Sequence, residues 1–139
     1  MSSLSLDFFD ILDRIKEMEN VMIKREEIFE YVKENYNTTP EHLFAKHPDV
    51  AVLRNVKTNK WYGVVMTVEK RKLGINEDGL IEIMNLKGNP EFNSIIRSQN
   101  YIMAAYHMNK KHWITVLLDY DFPKSELFEL IQWSHQLTS

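Results

Sequence analysis

Tyr106-His107-Met108-Asn109-Lys110-Lys111-His112-Trp113-Ile114-Thr115-Val116-Leu117-Leu118-Asp119 sets a polar, cationic turn directly against an alternating apolar strand that ends in an acid. Side chains alternate across a strand, so Trp113, Thr115 and Leu117 fall on one face and Ile114, Val116 and Leu118 on the other. Residues 101–106 read as the preceding strand, so the turn between them is a hairpin tip. Asn109 suits such a turn because asparagine tolerates positive φ and bonds its own backbone. Trp113 at the strand mouth reads as packing, since a ring that size buries a large apolar area.

Upstream, residues 49–56 and 61–69 read as a second hairpin across the polar turn Lys57-Thr58-Asn59-Lys60. In its second strand Tyr62, Val64, Met66 and Val68 alternate with Trp61, Gly63, Val65 and Thr67. Trp61 is the better candidate there for an exposed aromatic platform. Residues 70–79, with three consecutive basic residues and two glycines, read as an exposed loop or flap. Residues 80–86 form a third strand. Asn89 then caps a helix with Pro90 at its first position, running to about Ser98. Pro123 opens a last helix whose apolar face carries Leu127, Leu130, Ile131, Ser134 and Leu137.

The N-terminal third is helical. Phe8, Phe9, Ile11, Leu12, Ile15 and Met18 recur at helical spacing over residues 6–19. Asp7, Asp10, Asp13 and Glu17 make the solvated face of that helix. A second helix spans about Lys24 to Tyr36 with Ile28, Phe29, Val32 and Tyr36 as its stripe. Thr39-Pro40 stops it and would cap a short helical turn through Leu43. The predicted order is α-α-β-β-β-α-β-β-α. Short connections imply an antiparallel sheet of about five strands, and helices on one face of it give a two-layer α+β domain. No repeat or linker divides the chain, so residues 1–139 read as one domain. The N-terminal helices are expected to cover the sheet of their own chain, because short loops favour local contacts. The alternative is pairing with a second chain across a two-fold axis.

Composition narrows the function classes. The chain has no cysteine, which removes disulfides and thiol chemistry and fits a reducing cytoplasm. It carries no signal-peptide pattern and no apolar run long enough for a membrane span. The net charge of −3 is unevenly spread. Residues 1–40 hold 5 basic against 9 acidic side chains, residues 41–112 hold 11 against 7, and residues 113–139 hold 1 against 4. A basic middle between acidic ends allows a local anion-binding face. No P-loop, nucleophile elbow, zinc-protease helix or dinucleotide fingerprint occurs, so the chain reads as non-enzymatic and without a cofactor. His42 and His47, and His107 and His112, lack the acid or histidine neighbours of a metal site, and no metal is expected.

Three blocks resemble the MmcQ/YjbR family of small bacterial proteins, over about residues 36–138. They are Tyr106 to Asp119 with Pro123 and the segment around Ser134; Lys60 to Met66, continuing to Lys72-Leu73-Gly74; and Asn85 to Glu91. Residues 1–35 lie outside the resemblance. Two departures stand out. Asp119-Tyr120 replaces the family's usual Asp-Gly, and Gly88 stands where cysteine is common. The resemblance implies a frataxin-like or secretion-chaperone-like α+β fold and DNA binding through a "double wing" of hairpins. On that basis the candidate contacts are Lys57, Lys60, Lys70, Arg71, Lys72, His107, Asn109, Lys110, Lys111 and His112, with DNA favoured over RNA. Lys87, beside the predicted helix start at Asn89, would add an anion contact. The alternatives are a protein-interaction or dimerisation module, and a small-ligand or metal pocket between sheet and helices.

Overall fold

The computed structural model describes residues 7–13, 23–97, 101–119 and 123–139. A short helix α1 (residues 8–13) is followed by α2 (Arg25–Tyr36), β1 (Ala51–Arg54), β2 (Trp61–Glu69) and β3 (Leu80–Lys87). After these come α3 (Asn93–Ile96), β4 (Ile102–Ala104), β5 (Trp113–Leu117) and α4 (Lys124–Leu137). The sheet order is β1-β2-β3-β5-β4, antiparallel throughout. This is the α+β architecture and element order that the sequence predicts.

Ile28 and Val32 of α2 and Leu127 and Ile131 of α4 are fully buried against Leu53, Val65, Met84, Leu86, Ile114 and Val116. Paired residues of an antiparallel ladder share a face, so these positions define the helix-covered side. The other side carries Met66, Val68, Ile81, Ile83, Leu117 and Met103. Loops cover it instead of helices. Leu73 and Tyr106 fold onto it from opposite ends of the sheet.

A β-bulge in β2 decides what each face presents. Arg54 pairs with Trp61, but Leu53 pairs with Gly63, so Tyr62 is the extra residue. Tyr62 therefore joins Gly63 on the helix side, where its hydroxyl donates to Thr38 Oγ1 at 2.7 Å. Burial pushes that hydroxyl up to about 12, with the Thr38 bond opposing. Trp61 takes the opposite side with Val64 and Met66. The predicted strict alternation of β2 fails here, because the bulge adds one residue to the count. Gly63 leaves room beneath Tyr62: a Cβ would come within 3.0 Å of Met84 Cε and 3.1 Å of Leu53 Cδ1, so those side chains would have to give way. Ser134 of α4 completes the arrangement. Lys87 N donates to Ser134 Oγ at 2.8 Å, and Ser134 Oγ donates to the Tyr62 carbonyl.

Several predicted elements differ. The basic stretch is exposed as read, but it is ordered: Lys70–Leu73 forms a 3-10 turn with Leu73 buried. Lys70 N donates to Gly79 O at 2.9 Å, and the loop closes through Gly74 and Gly79 at φ 81° and 113°. No helical turn follows Pro40, because Glu41 bridges to Val52 and extends the sheet edge. The helix predicted from Pro90 is reduced to Asn93–Ile96, while Asn89 makes the bond of a cap, its Oδ1 accepting from Glu91 N at 2.9 Å and its carbonyl from Asn93 N at 3.0 Å. The Asn93 side chain occupies the space that a Cβ at Gly88 would need, which accounts for glycine there. Of the predicted first helix, residues 8–13 are helical and residues 14–19 lie outside the described residues. Phe8 and Phe9 are 68% and 72% exposed, against the expectation that this helix covers its own sheet.

Ser134 tests the bulge. Ser134→Ala leaves a buried N–H and a buried carbonyl without their partner, which costs about 1–3 kcal/mol. Denaturant unfolding of the variant is expected to show that loss, and an unchanged midpoint would contradict the bridging role.

Candidate nucleic-acid interface

The ten candidate residues divide between the two ends of the sheet. Strands β2 and β5 begin, and β4 ends, at one end, so the turns at 57–60 and 105–112 lie there. Strand β3 finishes between them with Lys87. Residues 70–72 lie at the opposite end, beyond Glu69. The nine residues of β2 lie between the two sets, and their eight steps span roughly 27 Å at about 3.4 Å per residue.

The first end is cationic and built on fixed turns. Asn55 Oδ1 accepts from Lys57 N at 3.0 Å, Asn59 takes φ 64°, and Thr58 Oγ1 donates to Thr138 O at 2.7 Å. The turn is thereby tied to the end of α4, with Lys57 and Lys60 facing solvent. Burial and then the Lys57 charge hold the His135 pKa below the usual histidine value. In the other turn Asn109 Oδ1 accepts from Lys111 N at 2.9 Å and His112 N at 3.2 Å. Asn109 thus builds the turn from its side chain, as asparagine does. Lys110 Nζ donates to Ala105 O at 2.9 Å, and Arg97 donates to Lys110 O. Lys111, His107 and His112 are exposed. Among the described residues, none of Lys57, Lys60, Lys110 and Lys111 has a carboxylate partner.

The opposite end is largely self-neutralised. Lys70 pairs with Glu77 at 3.2 Å and Arg71 with Asp78 at 2.7 Å, while Arg71 also donates to Asn76 Oδ1 at 3.1 Å. Only Lys72 of this run is left without an ion pair among the described residues. Lys87 is also engaged elsewhere: its ammonium sits 5.5 Å from the Trp113 ring centroid, a cation–π contact. The helix it was to assist is a single turn. Trp113 itself is buried.

Sequence reading missed the residues that set the third wall of this region. Thr115 Oγ1 donates to Asn85 Oδ1 at 2.5 Å, Asn85 Nδ2 donates to Tyr106 O at 3.0 Å, and Tyr106 N donates to Thr115 Oγ1 at 2.8 Å. Asn85 and Thr115 are fully buried. Their signal was present as two polar residues inside apolar strands, which must be hydrogen-bonded when buried. This closed triangle fixes Tyr106 over the open face. His107 then follows at φ 57° and stacks on Tyr106 at 4.0 Å between ring centroids.

A cleft of about 550 Å³ results on the open face, between the loops and along the length of β2. Val64 and Met66 are part of its lining, with Trp61, Phe44, Tyr106 and His107. Phe44 meets Trp61 edge-on at 6.4 Å. The cleft lies on the face away from the helices, and three residues singled out from the sequence, Trp61, Lys72 and His107, line it. Among the described residues no group of three histidines or carboxylates is arranged to hold a metal. No helix among them is long and apolar enough to cross a membrane.

An antiparallel five-stranded sheet, helices on one face and ordered loops on the other define a small α+β class to which known proteins can be matched. The family model named YjbR matches residues 33–137, and the chain belongs to that family. The uncharacterized protein YyaQ of Bacillus subtilis (strain 168) is 43% identical over 117 residues, covering 84% of this chain and 99% of that one. A crystal structure of a Pseudomonas syringae protein superposes with a TM-score of 0.81 at 40% identity, over 84% of this chain and 100% of that one. Deinococcus radiodurans protein DR2400, described as a DUF419 domain, superposes at 0.63 with 26% identity, over 84% and 78% of the two chains.

Thr115→Val keeps the shape of the side chain and removes the hydroxyl at the centre of the triangle. The expected cost is about 1–3 kcal/mol, because Asn85 Oδ1 and Tyr106 N–H lose their partner. Amide exchange at residues 105–108 should rise with it. Unchanged protection there would mean that the loop is held by something else.

Proposed function

We propose that the protein is a non-enzymatic, cytoplasmic DNA-binding domain that grips phosphates at one end of its sheet. The observation that carries this reading is the cluster of uncompensated ammonium groups on two fixed turns, Lys57 and Lys60 on one and Lys110 and Lys111 on the other. Turns held by Asn55 and Asn109 present these charges without further ordering, which lowers the entropic cost of contact. Phosphate contact positions a protein on nucleic acid without reading sequence, so sequence-independent binding is the expected mode. Lys70 and Arg71 contribute little, since Glu77 and Asp78 already balance them. Absence of cysteine accords with a reducing compartment.

A second reading has its own observation. Helix α1 exposes Phe8, Phe9 and Ile11, the last at 45%. An apolar face of this kind suits a protein partner or a second copy of the chain. If α1 joins two chains, the intact protein runs as a dimer in light scattering and the Phe8→Ser/Phe9→Ser variant as a folded monomer. A monomeric parent would remove the dimer.

Salt titration with duplex DNA tests the main reading. Log affinity should fall linearly with log salt, by about 0.9 for each phosphate neutralised. Lys57→Glu/Lys60→Glu and Lys110→Glu/Lys111→Glu should each weaken binding to all sequences alike and flatten that slope. Lys70→Glu/Arg71→Glu should leave it nearly unchanged. Equal effects from all three pairs would reject the one-ended assignment.

A further inference from the structure

The cleft on the open face is not used by phosphate contacts at the sheet end, yet it begins beside them. Trp61 follows Lys60 in the chain, and Tyr106-His107-Met108 leads directly into Asn109 and Lys110. Both aromatic walls of the cleft therefore rise from the turns that carry the uncompensated charges. From Trp61 the cleft follows β2 over Val64, Met66 and Val68 to Glu69, where Lys72 lines it. Its volume of about 550 Å³ is in the range of sites that take small planar ligands. Its walls are also prepared in advance. The buried Asn85–Thr115 pair holds Tyr106, and His107 is kept in the left-handed region, which non-glycine residues enter only where surrounding structure imposes it.

We propose that this cleft accepts an unpaired base of single-stranded DNA, with Trp61 as its stacking wall and the Tyr106–His107 pair closing the opposite side of the lining. The proposal rests on the phosphate-binding reading above and specifies the form of nucleic acid. A cationic track beside aromatic side chains is the combination that single-stranded binding requires, because every base offers a flat π-face. A base within a duplex is stacked on its neighbours and cannot enter a recess between loops without leaving the helix. Phosphates flanking the inserted base would meet Lys60 and Lys110 at one end, while Lys72 stands at the other. The two carboxylates of the lining, Asp49 and Glu69, both lie toward the Lys72 end. Asp49 Oδ2 accepts from Thr67 N at 2.9 Å. The Trp61 end is therefore where a phosphate chain and its base are best received. The uncompensated lysines stand on the turns from which the Trp61 end of the cleft rises, and Lys72 is the one lysine that lines the cleft itself.

The test compares the full-length protein on oligothymidylate and on an equally long duplex, at several salt concentrations. Single strand should bind more tightly than duplex. Trp61→Ala should weaken single-strand binding by roughly 5- to 150-fold, the measured span for losing one base–aromatic stack. Its log-salt slope should stay that of the parent, since no charge is removed. Trp61→Phe should restore most of the affinity. Phe44→Ala, at an exposed loop position, provides a second lining variant should Trp61→Ala fold poorly, and it should also weaken the single strand selectively. Duplex bound at least as tightly as single strand, with both variants at parental affinity, would overturn the cleft proposal and leave the phosphate reading standing. No salt-dependent binding of either form would overturn both.

Discussion

The Ser134 hydroxyl, standing between the Lys87 amide and the Tyr62 carbonyl, is the contact on which the layout of both faces depends. A bulge puts two consecutive residues of β2 on the same side, at the point where the β2–β3 ladder ends at Gly63 and Leu86. Without a group that both donates and accepts, two buried backbone groups would be left unpaired at that point. Ser134 supplies one from the helix layer, so the defect in the sheet also becomes the attachment of α4. Gly63 provides the room and Tyr62 the anchor, through Thr38 and the stacked pair Tyr36–His135. On the far side the same bulge brings Trp61 into the row of Val64 and Met66. One extra residue thus fixes the helix packing and the aromatic end of the open cleft.

The elements legible in the sequence were those whose pattern is periodic. The apolar stripe of α2, the alternation of β5 and the Pro123 start of α4 follow from side-chain periods that burial enforces. What escaped reading depends on contacts distant in sequence. Nothing local in Trp61-Tyr62-Gly63 reports that its partner strand is one residue short. The turn after Asn89 had a good cap and proline but only a short apolar run behind it, and one helical turn is all it supports. The loop at 70–79 is exposed as read, but its charges were counted without their partners. Glu77 and Asp78 lie seven residues after Lys70 and Arg71, a separation that becomes an ion pair only once Gly74 and Gly79 reverse the chain.

Counting lysines therefore overestimates an anion site, and counting those without a nearby carboxylate corrects it. Exposed ion pairs are worth little to stability, so Lys70–Glu77 and Arg71–Asp78 are weak as fasteners. Their larger effect is on the field, where each pair cancels most of the charge it would show to a distant polyanion. The cationic character of the molecule then belongs to the end that carries Lys57, Lys60, Lys110 and Lys111. Asn109 and Asn59 shape those turns but present no charge of their own, which separates the residues that build the surface from those that would touch a ligand.

The stretch that carries most of the family resemblance is divided in the same way. Trp113 is buried beneath the Lys87 ammonium, Thr115 sits in the polar triangle, and Ile114 and Val116 fill the helix-side core. Tyr106 and His107 are turned toward the open face, although an ordinary hairpin tip would project them into solvent. A buried polar triangle is a costly way to hold a surface loop, since each member must be matched or the whole is destabilising. Hydrophobic residues at Asn85 and Thr115 would pack the sheet as well, but they would give Tyr106 no backbone partner. The geometry at those two positions is therefore best understood through what it positions, namely the Tyr106–His107 pair that lines the cleft together with Trp61.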